Sequence, residues 1–171
     1  DAGAPLLTIP SPEVTGLSKA QLNELFESLS TARRPIVITG PQSNQSRQPV
    51  ACEALTKKLG MPLICLESAR GLADTFYGNF PDVLTASDLI ILMGKRGDYA
   101  TGLLTPGRIA KTTPVIAILT DDQPAPSHDS ISIDIMRVGA ISAAMHDLAR
   151  VVQVVNPLWA KKIDTMITSR K

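Results

Sequence analysis

The segment Gly94-Lys95-Arg96-Gly97-Asp98 follows the apolar run Leu89-Ile90-Ile91-Leu92-Met93. Two cations and a carboxylate beside two glycines can neutralise a phosphate and accept a hydrogen bond from a ribose hydroxyl. Three other apolar runs end in comparable polar groups: Gly40, Pro41, Gln42 and Ser43; then Glu67, Ser68, Arg70 and Gly71; then Asp121 and Asp122. If the runs are parallel strands, these groups share the carboxyl edge of a sheet, where open α/β folds bind ligands. The candidate nucleotide-binding set is therefore Gly40, Gln42, Arg70, Gly94, Lys95, Arg96, Asp98 and Asp121. The same residues also suit ordinary strand ends, since turns use glycine and solvated loops use charge. In that case Arg70, Lys95 and Arg96 pair with Asp74, Asp98 or Asp121. The stretch Thr39-Gly40-Pro41-Gln42-Ser43-Asn44-Gln45-Ser46 carries neither G-x-G-x-x-G nor a Gly-Lys-Ser/Thr phosphate loop, which speaks against NAD binding and NTP hydrolysis.

No other constellation is complete. His128 sits among Pro, Ser and Asp and reads as a solvated loop residue, and His146 falls off the apolar stripe of its helix and reads as exposed. No His, Cys or carboxylate cluster has metal spacing, and no G-x-S-x-G nucleophile elbow occurs. Ser68, ahead of Arg70-Gly71, fits a helix cap better than a nucleophile. Cys52 and Cys65 read as reduced core thiols of a cytoplasmic protein. No catalytic residue and no metal ligand is assigned.

The elements that would position this rim follow from periodicity. Ser18 with Gln21 three residues on is a capping box, and Leu22, Leu25, Phe26 and Leu29 then form one apolar stripe of a helix. Arg33 and Arg34 suit its carboxyl end. Ile36–Thr39 is a short β-branched strand. Pro49 opens a second helix, lined by Val50, Ala54, Leu55 and Leu59 and closed by Gly60. Strands follow at 62–66, 88–93 and 115–119, with a short helix near 82–86 and a weaker alternating strand at 130–135, nearer an edge. Val138, Ile141, Met145 and Leu148 mark the last long amphipathic helix, and residues 156–171 read as a helix short of partners. Strands alternating with helices, several apolar on both faces, predict an α/β fold: a three-layer, doubly wound, Rossmann-like, mostly parallel sheet of about five or six strands.

Composition narrows the function classes. The formal net charge of +1 gives no electrostatic case for nucleic acid or a membrane surface, and 4% aromatic residues leave little for base stacking. No apolar run reaches the roughly 18 residues that span a bilayer. The opening "DAGAPLLTIPSPE" lacks the basic start of a secretory signal. Its prolines, Pro5, Pro10 and Pro12, and the absence of an initiator Met read as a linker in a longer protein. The expected organisation is a linker over 1–17, one Rossmann-like domain over 18–152, and a helix or linker over 153–171 leading towards a further domain. Apolar side chains are then expected at the surface around Leu6, Leu7, Leu158 and Trp159.

The order "ARRPIVITGPQ", "ACEALTKKLGMPLICLESARG", "ASDLIILMGKRGDYATG" and "VIAILTDD" resembles the central domain of thiamine-diphosphate-dependent enzymes, of the acetolactate synthase and benzaldehyde lyase type. The resemblance runs from Pro10 to about Trp159 and rests on order and spacing. It implies a middle domain between two catalytic domains that hold thiamine diphosphate and Mg²⁺ across a subunit interface, in a homodimer or tetramer. In that family the middle domain holds FAD, holds ADP or holds nothing. The Gly-x-Arg-x-Asp of FAD-holding members falls on Gly94, Arg96 and Asp98, and their first glycine turn on Gly40, where Pro41 and Gln42 replace further glycines. Their Asp-x-Asp falls on Leu119 and Asp121, their Gly-Asp-Ala before the last helix on Asp134-Ile135-Met136, and the 70–86 loop is shorter than theirs. These departures imply a vestigial or empty cleft. The family's Gly-Asp-Gly…Asn segment has no counterpart, Arg96-Gly97-Asp98-Tyr99 being the nearest string. The role so implied is scaffolding and oligomerisation in a 2-oxo acid lyase or transferase. A free-standing flavin- or adenine-nucleotide-binding domain and a small unrelated α/β enzyme are the alternatives.

Overall fold

Every residue of Pro35–Thr39 (β1) and Leu89–Met93 (β3) is buried. Strands this apolar need cover on both faces, so they lie inside a sheet. They pair in parallel from Pro35 with Leu89 to Thr39 with Met93. Ile64–Cys65 (β2) pairs with the other edge of β1. Val115–Thr120 (β4) pairs with β3, and Ile133–Val138 (β5) pairs with β4. The structure, a computed structural model, describes residues 14–60, 63–66, 78–98, 101, 109–125, 131–151 and 157–168. Among these residues the sheet has five parallel strands in the order β2-β1-β3-β4-β5. Strand order reverses between β1 and β3, the switch point of a doubly wound fold.

Among the described residues, five helices cover the sheet in a three-layer, Rossmann-like arrangement: Lys19–Thr31 (α1), Pro49–Leu59 (α2), Phe80–Ala86 (α3), Ile141–Val151 (α4) and Pro157–Thr168 (α5). The α2 helix packs on α4, which also meets α1 and β4, whereas α3 packs on α5. The expected capping box starts α1: Ser18 Oγ accepts from the Gln21 amide, and Gln21 Oε1 accepts from the Ser18 amide. Pro49 stands in the first turn of α2, and Gly60, in the left-handed region, closes it with its amide on Thr56 O. The core centres on β1, β3 and β4, with Phe80, Leu55, Ile90 and Leu92 inaccessible to solvent. Each such side chain stabilises the fold by about 1.5–3 kcal/mol through burial.

Several sequence expectations are corrected. The apolar stripes are narrower than their periodicity: Leu25 and Leu29 are buried, but Phe26 is 49% exposed, and on α2 Val50 is 68% exposed while Ala51 and Cys52 are buried. Arg33 and Arg34 lie beyond α1 rather than in its last turn, because Ala32 caps it in extended conformation. Their amides donate to the Asp88 carboxylate at 3.1 and 2.7 Å, tying the start of β1 to the start of β3. The edge strand expected at 130–135 lies three residues later, at Ile133–Val138. Asp134-Ile135-Met136 is thus inside β5, and Gly139-Ala140 precedes α4. His146 is half-buried rather than exposed. The last helix is not short of partners: Trp159 is 4% exposed and donates its Nε1–H to Pro35 O at 2.8 Å, and Ile163 is fully buried. Leu158 is exposed as expected. Leu6, Leu7, Ser68, Asp74 and His128 lie outside the described residues.

Candidate functional site

The parallel register carries the ends of β1, β3, β4 and β5 to one edge, so Gly40, Gly94 and Asp121 share that edge. The switch point is built from two glycines. The Gly40 amide donates to Met93 O at 3.4 Å, and a Cβ on Gly40 would stand 2.6 Å from Gly94 O. Gly94 turns with φ +62°, and its amide donates to Ile118 O at 2.8 Å. Ser43, in the 3-10 turn Pro41–Ser43 after β1, is buried, and its hydroxyl has no hydrogen-bond partner. The thiols of Cys52 and Cys65 donate to Ser43 O and Gly40 O, so both brace this turn. Burial pushes the Cys52 thiol pKa up.

The charged residues after β3 are arranged for support. Lys95 is 9% exposed, and its Nζ lies 2.8 Å from Asp98 Oδ2. Asp98 O accepts from the Thr101 amide and from the buried Thr101 hydroxyl, closing the turn. Arg96 is exposed. Asp121 is exposed in the turn after β4. Arg70 lies outside the described residues.

A cleft of about 410 Å³ opens at this edge. Gln42 and Gln48 form one wall, ahead of α2. Thr120, Asp122 and Gln123 form the second, after β4. Gly139, Ala140, Ile141 and Ser142, where β5 turns into α4, form the third. Of the seven residues picked from sequence that lie among the described residues, only Gln42 lines it. Placing β5 three residues early concealed the Gly139-Ala140 turn, which the strand-end rule otherwise selects.

Sequence reading also missed the residues that hold the second wall. Arg137, on β5, donates from one guanidinium nitrogen to Thr120 O and Gln123 O, each at 2.6 Å. Gln123 accepts from the Thr120 amide at 3.1 Å and donates to Gly94 O at 3.4 Å, linking the ends of β4 and β3. The third wall is strapped by the chain entering α1. The Gly139 amide donates to Thr15 Oγ1 and the Ala140 amide to Thr15 O, while the Leu17 amide donates to Asp147 Oδ2 on α4.

Among the described residues, no group of three His, Cys, Asp or Glu side chains could hold a metal ion, and no helix is long and apolar enough to cross a membrane.

No family model and no curated protein matches the chain. Among solved structures it resembles the thiamine diphosphate-dependent 4-hydroxybenzoylformate decarboxylase of Rhodococcus jostii RHA1, with a TM-score of 0.63 and 18% identity. The match covers 88% of this chain and 31% of the decarboxylase, so the chain spans about a third of that enzyme's length. The likeness is one of fold: the chain folds like about a third of that decarboxylase.

Proposed function

We propose that this chain is the central domain of a thiamine-diphosphate-dependent 2-oxo acid enzyme, a lyase or transferase of the cytoplasm. It acts as a scaffold that spaces two catalytic domains and contributes to a homodimeric or tetrameric assembly. Thiamine diphosphate and Mg²⁺ belong to the flanking domains, one entered upstream of the 1–17 linker and the other reached beyond the C-terminal helix. The observation that carries this reading is the parallel β2-β1-β3-β4-β5 sheet matched over 88% of the chain to 31% of a thiamine-diphosphate-dependent decarboxylase.

Calorimetric titration of thiamine diphosphate with Mg²⁺ tests it. The polypeptide that carries this segment together with its neighbours binds the cofactor, and the 171-residue chain alone gives no saturable heat. Saturable binding to the isolated chain contradicts the reading, as does its absence from the longer polypeptide.

The cleft favours the second reading, a free-standing flavin or adenine-nucleotide domain, because its volume lies within the usual ligand-pocket range of about 300–1,000 Å³. Flavin absorbance near 450 nm in the purified chain would support it. Among the described residues, however, the wall has no Lys or Arg to meet a diphosphate.

A further inference from the structure

We propose that the cleft beside α4 takes an uncharged, hydroxyl-bearing ligand of about nucleoside size, not a diphosphate nucleotide. The inference concerns the wall chemistry alone and does not depend on the scaffold role.

Among the described residues, several groups that could hold a phosphate at this edge are already occupied, and the exposed Arg96 does not line the cleft. Lys95 is committed to Asp98 at 2.8 Å with only 10% of its side chain exposed. Arg137, the cation that braces the second wall, is spent on two carbonyl oxygens, Thr120 O and Gln123 O. The backbone amides that open the turn into α4 would be the natural phosphate cradle. Those of Gly139 and Ala140 are taken by the Thr15 hydroxyl and carbonyl. At the other wall α2 opens on Pro49, which has no amide hydrogen to offer.

Among the described residues, the polar side chains that line the cleft are neutral or anionic. The carboxamides of Gln42 and Gln48 and the hydroxyls of Thr120 and Ser142 line the space, as does the exposed Asp122 carboxylate. No side-chain hydrogen bond to another described residue engages any of these five groups. Carboxamides present a donor and an acceptor together, which suits the edge of a purine or another amide-like face. A carboxylate accepts from paired hydroxyls and repels a diphosphate. Three walls around about 410 Å³ give room for a base with one sugar ring, or for a sugar with a substituent.

Isothermal titration of the 171-residue chain with adenosine, glucose, ADP and FAD, at about 20 and 200 mM salt, tests this. At least one of adenosine and glucose binds saturably with an affinity unchanged by salt, and ADP binds no tighter than adenosine. Binding of adenosine alone identifies a nucleoside site, and binding of glucose alone a sugar site. Asp122→Ala and Gln48→Ala, both at the surface, each weaken the neutral probe by at least fivefold without altering the circular dichroism spectrum. ADP or FAD binding more than tenfold tighter than adenosine, with affinity falling as salt rises, overturns the proposal. So does the absence of saturable binding by both neutral probes.

Discussion

Gly94 O occupies the space that a side chain on Gly40 would need, 2.6 Å from an ideal Cβ. The neighbour is backbone at the crossing of β1 and β3, with Gly94 held by its own amide on Ile118 O. It cannot yield without shifting the turn. Gly40→Ala is therefore expected to destabilise the domain by about 1–3 kcal/mol, the usual range for overpacking. Urea unfolding checks this; an unchanged midpoint would show that the two strand ends separate freely.

The strap over α4 rests on a comparable closeness. A Cβ on Gly16 would collide with the Asp147 carboxylate and press on the α4 backbone at Ala143. Asp147 also accepts the Leu17 amide at 3.0 Å. Gly16→Ala and Asp147→Ala are each expected to release residues 14–17. Amide exchange at Leu17, Gly139 and Ala140 should accelerate at least tenfold, while Ile90 and Leu92 in β3 stay protected. Unchanged exchange at Ala140 would mean the strap does not hold the turn.

Trp159 joins the last helix to the sheet. It is buried, and its indole donates to Pro35 O. Trp159→Phe keeps most of the contact and loses the hydrogen bond, at a cost of about 1 kcal/mol. Trp159→Ala also leaves a cavity and is expected to cost about 3–5 kcal/mol. Equal stability of wild type and Trp159→Ala in thermal unfolding would show that α5 is not part of the cooperative unit.

Much of the platform was legible in the chain, because its strands are buried on both faces. Ile36–Thr39 and Leu89–Met93 read as continuous apolar runs, and parallel pairing follows from the helices between them. The Ser18–Gln21 capping box and the Gly60 stop are local signals and lie where they were read. The edge strand was misplaced because its burial is irregular: Asp134 and Ile135 are both exposed, so alternation gave a false register. The displaced strand hid the Gly139-Ala140 turn and with it a wall of the cleft. Arg137 was invisible for another reason: its partners are carbonyl oxygens 14 and 17 residues away, which no side-chain pattern encodes. The pairing of Lys95 with Asp98 was one of two open readings, and only coordinates separate a paired cation from a free one.

The two thiols should differ in reactivity. Cys52 is buried with its pKa raised by desolvation, whereas Cys65 is half-buried on the edge strand. The thiolate is the nucleophile, so a raised pKa lowers the reactive fraction at neutral pH. Iodoacetamide at pH 8 should alkylate Cys65 first, and Cys52 should gain reactivity only as pH climbs beyond the ordinary thiol value of 9.0. Equal rates at pH 8, read by mass spectrometry, would show that the turn after β1 opens readily.

Release of CO₂ from a panel of 2-oxo acids, with thiamine diphosphate and Mg²⁺ supplied, tests the scaffold role most directly. The polypeptide carrying this segment between its neighbours is expected to release CO₂ from at least one of them, while the 171-residue chain alone releases none above the cofactor blank. Turnover by the isolated chain, or none by the longer polypeptide on any substrate, would contradict the account.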